Sequence, residues 1–152
     1  MPDINIDELK SHIGTMVEDT DVATEAPLRE MIVTFDRDDV TPGPGDAIHP
    51  GWHGCYFLPL SRRATLGADG LPTDTGVLPK MPLPRRMFAG GRFEFHTPIK
   101  VGEKLRRETE LMDISLRKGA TGVLVFTKVA NRIYNDDGLC VVEERDGVFR
   151  EG

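Results

Sequence analysis

Two adjacent arginines, Arg85 and Arg86, followed closely by Gly90 and Gly91, form the most chemically pointed run in this chain. A guanidinium fork matches phosphate oxygens, so an arginine pair where a turn-rich segment meets a strand suits a phosphate-bearing ligand. The two glycines let a ligand or another backbone come close; equally, they mark a bulge that bends the strand. The competing reading of the arginines is a solvated basic dipeptide. A second run, residues 51–58, reads Gly-Trp-His-Gly-Cys-Tyr-Phe-Leu and is apolar on nearly every side. It carries His53, a candidate acid–base group, and Trp52 and Tyr56, which suit the wall of an apolar tunnel. All three also fit ordinary core positions, His53 as a hydrogen-bonded core histidine.

Other constellations are weaker. His49 and His53 stand four apart, but Pro50 and Gly51 intervene and no third ligand is evident, so no metal site is expected. Cys55 and Cys140 lie in apolar segments without metal-type spacing and read as reduced core thiols. A thiol among aromatic neighbours stays protonated, which argues against Cys55 as a nucleophile. His96 alternates with Phe93 and Phe95 and is expected in solvent. No glycine-rich nucleotide loop is present.

The 152 residues suit a single domain, 1–152, with one core. A net charge of −6 opposes broad nucleic-acid binding, which needs a basic footprint. No apolar run approaches the roughly 20 residues of a membrane span, and the N-terminus lacks the features of a secretion signal. A cytoplasmic protein is the expectation, with neither nucleic acid nor membrane as a partner.

These residues must be positioned by the elements around them. Asn5 can cap a short helix carrying Ile6, Leu9 and Ile13, which Gly14 stops. Residues 15–22 read as a short strand. Thr24 caps a second helix, with Pro27 in its first turn and Leu28, Met31, Ile32 and Phe35 on one face. Residues 51–58 are expected to form a buried central helix, and residues 61–84 a long loop stiffened by four prolines over the ligand region. Four strands follow, at 92–97, 105–116, 123–134 and 139–150, with turns at 118–122 and 135–138. Helices first and an antiparallel meander after them make the class α+β.

Several pieces together resemble a known family. They are Pro44-Gly45-Asp46, the run 51–59, Leu66-Gly67-Ala68-Asp69-Gly70, the run 82–91, the run 93–103 and Val142-Glu143-Glu144. In that order, over about residues 13–150, they are similar to the N-terminal half of MaoC-like two-hotdog dehydratases and hydratases, the mesaconyl-CoA and itaconyl-CoA hydratase type with a FAS1-like dehydratase domain. The resemblance implies a hotdog fold, an antiparallel sheet wrapped around a central helix. It implies an acyl-CoA thioester as ligand, with Trp52, Tyr56, Arg85, Arg86, Gly90 and Gly91 at its binding site, and no cofactor. It also implies a second hotdog as partner, in a homodimer or a heterodimer.

Adding water to a 2-enoyl thioester needs an activated water near Cβ, a proton source for Cα and donors for the enolate oxygen. The family's Asp-x-Asn-Pro-x-His motif is missing from this chain. Asp46 and His49 are too close together, while Asp7 and His12 have the separation but not the intervening Asn-Pro. The reading is therefore a hotdog subunit of an enoyl-CoA hydratase or 3-hydroxyacyl-CoA dehydratase, not self-sufficient. Its catalytic Asp and His would come from the partner, with donors from the turn at 52–55 and His53 as this chain's own candidate. The alternatives are a hotdog acyl-CoA thioesterase using Asp46 or Glu94, a non-catalytic acyl-CoA-binding dimer, and a structural subunit.

Overall fold

The computed structural model describes residues 4–74, 76–119 and 122–151. Its elements are helix α1 (Ile6–Lys10), strand β1 (Met16–Val22), helix α2 (Ala26–Thr34), 3₁₀ turns at Trp52–Cys55 and Arg63–Thr65, and strands β2 (Arg85–Phe95), β3 (Lys104–Gly119), β4 (Gly122–Asn135) and β5 (Gly138–Arg150). The α+β class read from the sequence holds.

The five strands form one antiparallel sheet in the order β1-β3-β4-β5-β2, so β1 and β2 are its edges. The hairpin between β4 and β5 turns as expected, with Asn135 Oδ1 accepting from the N–H groups of Asp137 and Gly138. The tip between β3 and β4 falls partly outside the described residues. Burial along β4 alternates at its start, which fits a sheet with one covered and one solvated face. The solvated face carries ion pairs: Arg106 with Glu18 and Glu108, Arg132 with Glu110, and Lys128 with Glu144 and Asp146.

The covered face has two apolar patches. Towards one end, Leu28 of α2, Ile48, Tyr56 and Phe57 pack with Leu105, Ile133 and Val141. Towards the other, Leu9 of α1 and Val77 and Leu83 of the long loop pack with Leu111, Val125 and Phe149. Between them the register aligns a polar row, with Thr109 opposite Asn131 and Asn131 opposite Glu143.

Four expectations change. Residues 51–58 form no central helix, only the single 3₁₀ turn Trp52–Cys55. Gly51 in the left-handed region starts it, Phe57 at φ 57° breaks it, and Pro59 bars continuation. α2, nine residues long, is the longer helix on the sheet. Its N-cap is Glu25, without a side-chain cap, in place of Thr24, whose carbonyl instead accepts the Tyr56 hydroxyl. β2 begins at Arg85, so Arg85, Arg86, Gly90 and Gly91 sit within a strand and not in a preceding loop. Ile13 lies beyond the end of α1 and is 40% exposed. Asn5 does cap α1, accepting from the Glu8 N–H at 3.1 Å.

Candidate functional site

A cleft of about 1270 Å³ opens between the covered face and the segment from Phe57 to Leu78. Its floor is Thr109, Thr127, Val129 and Asn131 from β3 and β4, with Arg145, Gly147 and Phe149 from β5. Leu58, Leu60, Leu71, Met87 and Phe88 give it an apolar rim, and all five are exposed. Apolar walls with a few placed polar groups are the usual make-up of a small-molecule site.

Four arginines line this cleft, and they differ in what they hold. Arg86 donates through Nε to Asp69 at 3.1 Å and through Nη2 to the Pro72 carbonyl at 3.4 Å. It thereby ties the long loop to β2. Asp69 is held below the usual carboxylate range, first by the Leu71 N–H it accepts and then by Arg86, although partial desolvation pulls the other way. Arg107 donates to Asp19 at 2.7 Å and to the Phe57 carbonyl at 3.5 Å, and stacks over the Phe57 ring at 4.7 Å. Its Nε is buried without a hydrogen-bond partner. Arg62 is exposed at the start of the second 3₁₀ turn. Arg145 donates through Nε to Glu143 Oε1 at 2.5 Å.

Glu143 is a charged group only 7% exposed. On its other side lies His53, Nε2 at 3.8 Å from Glu143 Oε2. Burial pushes the Glu143 carboxyl up, but His53 and Arg145 together outweigh it and hold the group below the usual carboxylate range. The His53 ring meets Phe93 and Phe95 edge-on at 5.6 and 6.2 Å, and its Nδ1 has no hydrogen-bond partner. Beside them the Thr109 hydroxyl donates to Asn131 Oδ1 at 2.7 Å.

The residues singled out from the sequence are dispersed by the structure. Arg86 reaches the cleft; Arg85, its neighbour, is exposed and lies outside it. Ala89 is the extra residue where pairing shifts from Phe88 with Gly147 to Gly90 with Asp146, so the glycine pair does adjoin a bulge. A Cβ on Gly91 would stand 3.2 Å from the Glu144 carbonyl and 3.4 Å from the Phe88 ring, a close approach that favours glycine. His53 is buried and does not line the cleft. Tyr56 is core: its hydroxyl donates to the Thr24 carbonyl at 2.7 Å, and burial pushes its pKa up to about 12. Trp52 packs against the His49 ring at 4.6 Å and under Arg37, away from the cleft. The two thioesterase candidates are also outside it: Asp46 accepts the Gly43 N–H, and Glu94 pairs with Arg92 and His96 on the surface. Cys55 and Cys140 are both free thiols, and burial raises the pKa of each. Sequence reasoning passed over Arg107, Asn131 and Arg145. The signal for Arg145 was there in the period-two alternation of β5, which sets Val141, Glu143 and Arg145 on one face.

A five-stranded antiparallel sheet with helix α2 packed on its one covered face is the architecture of a hotdog domain. By fold the chain is similar to the ChsH1-ChsH2 complex from Mycobacterium tuberculosis, at TM-score 0.64 and 11% identity over 97% of this chain and 90% of that one. It is also similar to the R-hydratase PhaJ1 from Pseudomonas aeruginosa, at TM-score 0.56 and 20% identity over 92% of this chain and 83% of that one. Residues 51–152 match the family described as hydroxyacyl-thioester dehydratase type 2, and the chain belongs to that family. In sequence it is 40% identical over 118 residues to the mesaconyl-C(4)-CoA hydratase of Chloroflexus aurantiacus. The match covers 78% of this chain and 42% of that hydratase, so the chain spans less than half of its relative's length. No helix among the described residues is long and apolar enough to cross a membrane.

Proposed function

We propose that this chain is the ligand-holding hotdog of an enoyl-CoA hydratase or 3-hydroxyacyl-CoA dehydratase, acting with a second hotdog that supplies the catalytic Asp and His. The carrying observation is the composition of the cleft. It has the volume and apolar rim for an acyl group, yet no histidine lines it among the described residues. Reversible addition of water across the enoyl double bond needs a proton carrier at the reacting carbons. The cleft's carboxylates are already bound to protein: Asp19 to Arg107, Asp21 to the Phe57 N–H, Asp74 to the Gly76 N–H and Asp146 to Lys128. The cleft's groups bind and orient, and the acid–base step falls to the partner.

The partner's place is the β2 edge. Met87, Phe88, Phe93 and Phe95 are all about half exposed or more on this strand, and its outer backbone groups have no neighbouring strand in the sheet. An uncovered edge carrying four large apolar side chains suits pairing with another sheet.

The test uses the purified chain with crotonyl-CoA and mesaconyl-CoA, following enoyl-thioester absorbance, alone and with a hotdog protein bearing the Asp-x-Asn-Pro-x-His motif. The expected result is no turnover alone, protection against heat by CoA thioesters, and hydration once the partner is added. Turnover by the lone chain would overturn the division of labour.

A further inference from the structure

The buried carboxylate of Glu143 is expensive where it stands. A charge taken out of water carries a heavy desolvation penalty, and a well-packed apolar residue is often as stable in its place. Cross-strand from it lie Phe93 and Asn131, neither of which requires a carboxylate. What the carboxylate holds is Arg145, through a single bond to Nε. Arg86 and Arg107 each make two hydrogen bonds to protein acceptors, and Arg62, exposed on the loop, has no carboxylate among the described residues to fix it. Arg145 spends only Nε, and among the described residues its two terminal nitrogens have no protein acceptor.

Those nitrogens belong to a side chain that lines the cleft and is 60% exposed. The strand opposite leaves room for it, since Gly91 is the cross-strand neighbour of Arg145 and carries no side chain. A guanidinium fixed at Nε presents a planar pair of donors with much of its rotamer freedom already removed, the arrangement that binds paired oxygens. Behind Glu143, His53 fills the remaining space at 3.8 Å, backed by Phe93 and Phe95.

We propose that Arg145 is the anion-reading residue of the cleft, and that Glu143, backed by His53, is the positioning residue that aims it at an anionic oxygen pair on the bound thioester. This inference rests on the reading that the cleft holds a CoA thioester. Two parts of such a ligand carry that chemistry, a phosphate of CoA and a carboxylate at the far end of the acyl group.

The experiment is calorimetric titration of the full chain with CoA, butyryl-CoA and succinyl-CoA, the two acyl groups differing by a terminal methyl or carboxylate. It is run on the wild type, R145Q, R145K and E143Q. R145Q is expected to weaken binding about tenfold or more, the value of a lost charge-assisted hydrogen bond, with R145K restoring part of the loss. Weakening confined to succinyl-CoA supports the inference with the acyl carboxylate as the anion; equal weakening for all three supports it with a CoA phosphate. E143Q should move the same ligands the same way by a smaller factor, which a role in folding alone would not do. Binding unchanged in R145Q overturns the inference and leaves the proposed function standing. A clear R145Q effect with none from E143Q overturns the positioning role. Failure of the wild type to bind any of the three overturns the proposed function, and the inference with it.

Discussion

Two buried polar side chains, Tyr56 and Glu143, show one such group serving packing and another serving the site. Tyr56 lies 5% exposed with its hydroxyl committed to the Thr24 carbonyl. Tyr56→Phe removes that bond and should cost about 1 kcal/mol in urea denaturation, with no change in affinity for CoA thioesters. Glu143 links stability to pH. Its carboxyl is held below the usual range in the folded chain, so its contribution is fully present above the unfolded value, about 4.3. That contribution declines as the pH falls through the lower folded value. Denaturation of wild type and E143Q between neutral and acid pH should show the wild type losing more stability on acidification. Equal slopes would mean that His53 and Arg145 do not favour the charged form.

At the scale of elements, the long loop is held where it is by a few latches. Arg86 clasps Asp69 and the Pro72 carbonyl, Arg107 clasps Asp19 and the Phe57 carbonyl, and Val77 and Leu83 sink into the second apolar patch. Arg86→Ala should therefore speed limited proteolysis within residues 61–84 while moving global stability by less than about 1 kcal/mol, since the Asp69 pair is partly in solvent. A loop cut no faster in the variant would show that the apolar anchors alone hold it. The strand that carries the Arg86 latch is β2, and its period-two pattern was readable from Arg92 onward. Its first half was not, because the bulge at Ala89 and two glycines erase the alternation there.

On the scale of the whole molecule, the sheet has one edge that asks for cover. Phe93 and Phe95 stack at 6.0 Å and are each about half exposed, on the same strand as the exposed Met87 and Phe88. Phe95→Asp should weaken association with a hotdog partner in sedimentation velocity while the isolated chain stays folded by circular dichroism. Association unchanged in the variant would place the interface elsewhere, with the β1 edge as the remaining open strand of the sheet.

Local pattern carried much of this protein in the sequence itself. The alternation in residues 123–134 and 139–150, the turn at Asn135 to Gly138, the spacing of Leu28 and Ile32 and the capping role of Asn5 are all properties of near neighbours. So is the missing Asp-x-Asn-Pro-x-His motif. These features, with the resemblance along residues 13–150, already specify the α+β hotdog and its family. Tertiary structure decided the rest. It gave Arg86 to Asp69, took Tyr56 into the core, reduced the expected helix at 51–58 to one turn, and set Glu143 between His53 and Arg145. The physical reason is that propensity and periodicity are local, whereas a side chain's partner is set by register and by which segments pack together. His53 meets Glu143 only because β5 runs beneath the 3₁₀ turn, and nothing in the spacing of those two residues along the chain records it.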